Sequence, residues 1–401
     1  MAEPSPPARA ISRRARETAP FQVMALLARA RELEAAGRSV IHLEVGEPRF
    51  PTPEPVLAAA REALAAGRTG YTPAAGLPVL REAVAARYRR RHGVPLDPAR
   101  VLVTPGASGA LLLALALVAD PGEEVLLTDP GYPCFRQVAR VLGLGARSLP
   151  LEAETGYRPH PATVAAAWGG GIRALVLASP ANPTGAVLDR GTLRELAAVA
   201  EARGGWLVMD ETYAGLAYDG PAPTALEVAP RALVAGSFSK YFGMTGWRVG
   251  WLVAPEGVEE VAERLAQNLF LAAPTLAQHA ALAALDPAVE PELERRRVAL
   301  RHNRDRLAEG LRELGFELPE LPGGAFYLYV GCSRLSRDSE ELARRLLEEA
   351  GVAVTPGTDF GEHRARERLR FAYTVSPQEL DEALRRLRAF LVGRHPGGLR
   401  N

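Results

Sequence analysis

From residue 39 onward the chain alternates short, nearly unbroken apolar runs with longer stretches whose apolar positions recur every three or four residues. The runs at 101–103, 124–127, 146–151, 174–177, 207–209, 232–235 and 249–253 predict strands. Many of them are almost continuously apolar, as strands covered on both faces should be. Helical spacing over 107–119, 133–142 and 190–203 falls between them. Strand, helix, strand repetition of this kind predicts a mostly parallel, doubly wound α/β domain, placed at residues 51–288. An Asp286-Pro287 step then opens a smaller α+β domain over 289–401. Its expected elements are a charged helix over 290–314, a strand at 325–330, a helix over 339–350, a strand at 369–373 and a helix over 377–392. Residues 16–50 carry an amphipathic helical stretch and are expected to join this smaller domain, whereas residues 1–15 read as a flexible tail rich in Pro, Ala and Arg.

Charge and composition narrow the function classes. Lys and Arg total 48 against 47 acids, a net charge of +1. So even a balance offers no general electrostatic grip on nucleic acid. Every apolar stretch is cut by charge, Gly or Pro well short of a membrane span. Arg13-Arg14 is not followed by an uninterrupted apolar segment, so an export signal is not expected and a cytoplasmic location is. Cys134 and Cys332 lie far apart, and the seven histidines show no metal-ligand spacing, so neither a disulfide framework nor a metal site is expected.

One compositional fact points to chemistry. Of the 48 basic residues every one but Lys240 is arginine. Arginine stays protonated under nearly all conditions, whereas a lysine amine can lose its proton and act as a nucleophile. Lys240 sits in SFSKYFGMTGWRVG, directly after the apolar run at 232–235 and thus at a strand's carboxyl end, where open α/β sheets bind ligands. Ser237, Ser239 and Arg248 surround it with hydroxyls and a planar cation, a set suited to a phosphate dianion beside an amine. A phosphorylated cofactor bearing an aldehyde joins both features, since lysine forms Schiff bases with carbonyls.

At these residues the chain resembles the class I/II aminotransferases, pyridoxal-phosphate enzymes of fold type I, over nearly its whole length. The motifs are GEP from Gly46, GYTPAAGLPVLREAVA from Gly70, TPGASGALLLAL from Thr104, DPGYP from Asp129, SPANPTG from Ser179, DETY from Asp210, the lysine segment, and LRFAY from Leu369. So many in one order outweigh any single short motif. The resemblance implies pyridoxal 5′-phosphate as cofactor, amino acid and 2-oxo acid substrates, and a homodimer in which Tyr71 reaches the neighbouring site. It implies a phosphate cup at Gly106, Ala107 and Ser108, where small residues let a helix N-terminus approach an anion. Tyr132 is expected to stack on the cofactor ring, and Asp210 to keep the ring nitrogen protonated by its charge. Asn182 and Tyr213 match the donors to the 3′ oxygen. Arg370 matches the residue that grips the substrate carboxylate, with Asn182 and the backbone near Gly46 assisting.

The resemblance thus implies ping-pong transamination, with Lys240 as Schiff-base residue and proton carrier. β-Lyases and other pyridoxal-phosphate reactions share these motifs, because function on one fold lies in substrate-side residues. A non-catalytic, DNA-binding regulator on the same fold fits less well, since few residues precede Phe21 and there is no basic footprint. For the side-chain pocket the sequence offers Phe21, Tyr327 and Phe360 as candidates for an apolar or aromatic substrate. The expectation is an aspartate-like or broad specificity.

Overall fold

Each strand of the large sheet except one at its edge divides its apolar residues between two cores, as the alternation of the pleat dictates. The structure is a computed structural model that describes residues 11–392. In chain order the strands are β1 (Ile41–His42), β2 (Val101–Thr104), β3 (Glu124–Asp129), β4 (Gly145–Pro150), β5 (Ile172–Ala178), β6 (Trp206–Asp210), β7 (Leu233–Ser237), β8 (Gly250–Val253), β9 (Tyr327–Gly331), β10 (Val352–Ala353), β11 (Thr355–Pro356) and β12 (Arg368–Ala372). Seven of them form one sheet in the order β2-β8-β7-β6-β5-β3-β4. Only β8 runs against its neighbours. Leu175, Leu177, Leu207 and Met209 face one core, while Ala174, Val176 and Val208 face the other.

The helices on the second face are α5 (Gly106–Val118), α6 (Pro133–Val141) and α9 (Glu259–Phe270). Helix α5 is buried over most of its circumference, and its apolar composition follows from that position against β7 and β8. On the other side lie, among others, α4 (Pro78–His92), α8 (Arg190–Ala202) and α10 (Thr275–Ala284). The C-terminal part pairs β11 and β12 with β9 in an antiparallel sheet, packed with α11 (Glu290–Glu313). The N-terminal segment crosses to it: β1 pairs in parallel with β10, and α2 (Gln22–Ala35) packs against β10 and β11. Helix α1 (Arg13–Glu17) occupies part of the expected tail, and residues 1–10 of that tail lie outside the described residues.

Several boundaries differ from the sequence reading, three of them for instructive local reasons. The strand expected from 325 begins at Tyr327, because Ala325 is left-handed at φ +59 and cannot sit in a ladder. The helix expected over 339–350 is α-helical only for Ser339–Arg345, then widens to a π turn over Leu346–Ala350 before Gly351 at φ +65. The strand read as ending at 235 runs on to Ser237, which pairs with Gly250.

The functional consequence of this topology is one crowded edge. Strands β2, β3, β5, β6 and β7 end at Thr104, Asp129, Ala178, Asp210 and Ser237. Gly106, Tyr132, Asn182, Tyr213 and Lys240 follow within two to four residues. Five segments far apart in sequence are thereby delivered to one place.

Candidate active site

A cavity of about 260 Å3 opens at that edge. Its wall includes Gly46, Ala107, Ser108, Tyr132, Asn182, Asp210, Tyr213, Ser237, Ser239, Lys240, Arg248 and Arg370, twelve residues singled out from sequence. Gly106 stands directly behind it at φ +73, where a Cβ would collide with the Arg248 guanidinium. Tyr71 does not join them; it is 87% exposed on the loop before α4.

At one end the N-terminus of α5 offers its unpaired backbone N–H groups. Gly250 lies so close that a Cβ there would stand 2.9 Å from Ala107 N. Beside it the Ser239 backbone N–H donates to Ser237 Oγ at 3.0 Å, and Arg248 Nη1 donates to Thr245 O at 3.0 Å. At the other end Arg370, only 4% exposed, donates from Nη1 to Asn182 Oδ1 at 3.0 Å and from Nη2 to Glu44 O. Its guanidinium lies 4.3 Å from the Tyr327 ring centroid and 4.6 Å from that of Phe360. Arg370 Nε is buried with no hydrogen-bond partner. A buried donor left unmade is costly, so this end is built for an acceptor.

Between the two ends Lys240 Nζ donates to Gly46 O at 2.7 Å. Glycine is required at position 46, since a Cβ would collide with the Tyr327 hydroxyl. Burial pushes the Lys240 amine down to about 8; Arg370 and Arg248 act in the same direction, against Glu47 and Asp210. Asp210 is held by the Thr212 backbone N–H at 2.9 Å, and burial raises its pKa. A carboxylate in that position gains from a facing cation. The Tyr213 hydroxyl pairs with that of Tyr327 at 2.9 Å, and burial pushes the Tyr213 phenol well up. Tyr132 stacks on Phe21, with ring centroids 6.4 Å apart and planes 9° from parallel.

The depressed lysine has a measurable consequence. The unfolded amine keeps its proton up to about 10.5, the folded one only to about 8. Between those values the unfolded chain binds more protons, so this group makes folding more favourable as pH rises. Melting of the cofactor-free chain and of Lys240→Met from pH 7.5 to 10.5 should diverge, the parent gaining relative to the variant. Parallel curves would contradict a buried, depressed amine.

Sequence comparison agrees with the geometry. The family described as aminotransferase class I and II matches residues 38–387. The chain belongs to the class I and II aminotransferases. It is 37% identical to a valine–pyruvate aminotransferase of Mycobacterium tuberculosis over 93% of this chain and 96% of that one. It is 39% identical to an aspartate/prephenate aminotransferase of Thermus thermophilus over 96% and 100%. Its fold is similar to the crystal structure of an aminotransferase from Mycobacterium tuberculosis at a TM-score of 0.92, with 36% identity, over 96% of this chain and all of the other. As an aminotransferase it moves amino groups between amino acids and 2-oxo acids, with pyridoxal 5′-phosphate as cofactor. The cavity fits that group: a buried amine of lowered proton affinity, an anion-ready helix end beside Arg248, and a carboxylate whose burial disfavours its charge.

Val23, Met24, Thr212 and Asp359 also line the cavity and had not been singled out from sequence. Beyond Phe21, nothing in the apolar start of α2 marks it as a cavity wall. Asp359 stands in the Pro356-Gly357 turn, the one local signal that could have drawn attention to it.

Proposed function

We propose that this aminotransferase works through Lys240, Asp210 and Tyr213, as a homodimer in the cytoplasm. The observation that carries the reading is the position of the sole lysine: buried, bonded to Gly46 O, and in one cavity with Asp210 and Arg370. When bound, pyridoxal 5′-phosphate supplies an aldehyde carbon that exchanges amines and a ring that takes up electrons released at the donor's Cα. Gly106, Ala107 and Ser108, with Ser237, Ser239 and Arg248, would hold its phosphate. Tyr132 would offer an aromatic face for the ring, and Asp210 would hold a proton on the ring nitrogen. Asn182 and Tyr213 would donate to the 3′ oxygen. Asn182 can do so through its amide nitrogen, because its Oδ1 is the atom that accepts from Arg370.

Arg370 binds the donor's α-carboxylate through the N–H groups, Nε–H among them, that Asn182, Glu44 and Thr355 leave free. Lys240 Nζ, the amine of the cavity wall, would take the proton from the donor's Cα. An amine near pH 8 serves in that role, because it both gives and takes a proton at moderate pH. The 2-oxo acid acceptor then uses the same residues in reverse. Tyr71 supports the dimer: its exposed phenol sits on a loop tied to α10 by a Thr275 Oγ1 to Gly70 O bond of 2.7 Å. Leu271, just before that helix, is likewise 47% exposed. Two buried free cysteines suit a reducing compartment.

The test is an assay of amino donors with pyruvate and 2-oxoglutarate. Product should appear only when an acceptor is supplied. Pyruvate and ammonia released without an acceptor would instead mark a β-lyase. In the same assay Arg370→Lys should lower kcat/KM by about 10²-fold, mostly through KM, because a point charge replaces a bidentate fork. An unchanged KM would remove Arg370 from the carboxylate subsite.

A further inference from the structure

Two carbonyls of one short stretch hold the two ends of the cavity. Glu44 O accepts from Arg370 Nη2 and, at 3.1 Å, from Thr355 Oγ1, while Gly46 O accepts from Lys240 Nζ. The stretch leaves β1 at Leu43, whose N–H donates to Ala353 O at 2.9 Å and whose carbonyl accepts from the Ala372 N–H at 2.7 Å. The Glu44 side chain anchors the next residue. It is wholly buried, with Oε1 2.7 Å from His42 Nδ1 and Oε2 without a partner. On the other side of that imidazole, Nε2 lies 3.1 Å from Glu34 Oε1 in the last turn of α2. Neutral imidazole carries one N–H, so a ring that meets a carboxylate oxygen at each nitrogen is the imidazolium. The bond to Glu44 raises the His42 pKa above its ordinary 6.5 against the effect of burial, and Glu34 adds to the rise. These two carboxylates are the charged groups that face His42. Strand β10 sets Val352 and Ala353 beside β1, and Arg370 of β12 meets Glu44 at the main-chain carbonyl.

We propose that His42 and Glu44 are positioning residues for the α-carboxylate subsite: the ionised set of Glu34, His42 and Glu44 holds the Glu44 carbonyl against Arg370 and thereby aims its guanidinium at the substrate. The inference rests on the aminotransferase reading above and adds a control of substrate affinity from outside the cavity wall. A guanidinium binds a carboxylate as a planar fork, so whatever fixes its plane governs how well it binds. Neutral His42 can donate to only one of its two carboxylates. When Glu44 loses that donor its buried charge stands unpaired, which is costly, and the stretch from 44 to 46 shifts to relieve it. Arg370 then loses part of its alignment. Affinity for the α-carboxylate therefore falls as pH rises through the His42 titration. By linkage, a bound carboxylate favours protonated His42 by the same factor.

The experiment reads substrate affinity and the His42 titration on the holoenzyme. His42→Ala should raise KM for the amino donor about 10-fold and change kcat by less than about 3-fold, because Arg370 is displaced while Lys240 and Asp210 are kept. Glu44→Gln keeps the shape and an acceptor for Nδ1–H, and should raise KM by about 3-fold. It carries the test if the alanine variant does not fold. Propionate, which lacks the reacting amine, probes the subsite by calorimetry from pH 5 to 9. The parent should bind it about 5-fold more tightly below the His42 titration than above it. That step should vanish in His42→Ala and move to lower pH in Glu44→Gln. Imidazole NMR of the parent should show the His42 titration moving to higher pH when propionate saturates the site. Variants that lose only thermal stability, with KM, the propionate step and the His42 titration unmoved, overturn the proposal and leave the aminotransferase intact. If no amino acid transfers its amine in the parent although propionate still moves the His42 titration, the aminotransferase reading fails and the positioning pair stands.

Discussion

Lys240→Ala is expected to lower the rate of amino transfer by about 10⁴-fold while the chain keeps its fold. The side chain supplies the only amine in the cavity, and no other lysine exists to take its place. The loss should not be structural. The amine is a buried group whose charge burial disfavours, and its one hydrogen bond is to Gly46 O. Removing it relieves that desolvation, so the cofactor-free variant should melt no lower than the parent at pH 7. Lys240→Arg separates charge from chemistry. It retains a cation but cannot be deprotonated, and should be as inactive as the alanine variant. A small exogenous amine such as methylamine should restore part of the proton transfer to Lys240→Ala and none to Lys240→Arg. Near-normal turnover in either variant would dismiss Lys240 as the reacting amine.

Asp210→Ala should cost about 10³-fold in kcat with a smaller loss of cofactor affinity. Asp210 ends β6, and the Thr212 backbone N–H fixes its carboxylate at 2.9 Å. In the cofactor-free chain burial favours its neutral form. A protonated ring nitrogen facing it would reverse that preference, so the two charges stabilise each other and each needs the other. Affinity suffers less, because the residues proposed to hold the phosphate lie on other segments. Asp210→Asn keeps the size and removes the charge, and should resemble alanine. Single-turnover rates at saturating cofactor separate the chemical step from binding. Wild-type rates in both variants would mean that ring protonation has another source.

The sheet was legible in the sequence because its strands are apolar on both faces. All seven runs predicted for the large domain correspond to strands, and in all but the edge strand β4, which is mostly exposed, two-sided burial leaves a contiguous signal. What hydrophobicity could not show is where strands stop. The runs end at the last apolar residue, yet β3 continues to Asp129, β6 to Asp210 and β7 to Ser237. Those polar end residues border or line the site, so the boundary errors fall where chemistry begins.

The lysine, the glycine turn before α5 and Arg370 could be nominated from motifs, because local spacing carries them. Met24 and Asp359 could not. Their shared place follows from a backbone N–H of Gln22 meeting a carboxylate 337 positions further along the chain. No local pattern encodes such a meeting. It depends on the N-terminal segment crossing to β10 and β11.

With 48 basic residues and a single lysine, the surface cations of this chain are guanidinium groups. Guanidinium holds its proton beyond pH 12, so surface pairs such as Arg29–Glu348 and Arg158–Glu320 keep both charges in strongly alkaline solution. A lysine-rich homologue would shed most of its positive charge across that range and become steadily more self-repelling as an anion. Here the electrophoretic mobility should change little from pH 9 to 11, where a lysine-rich homologue would drift steadily towards the anode.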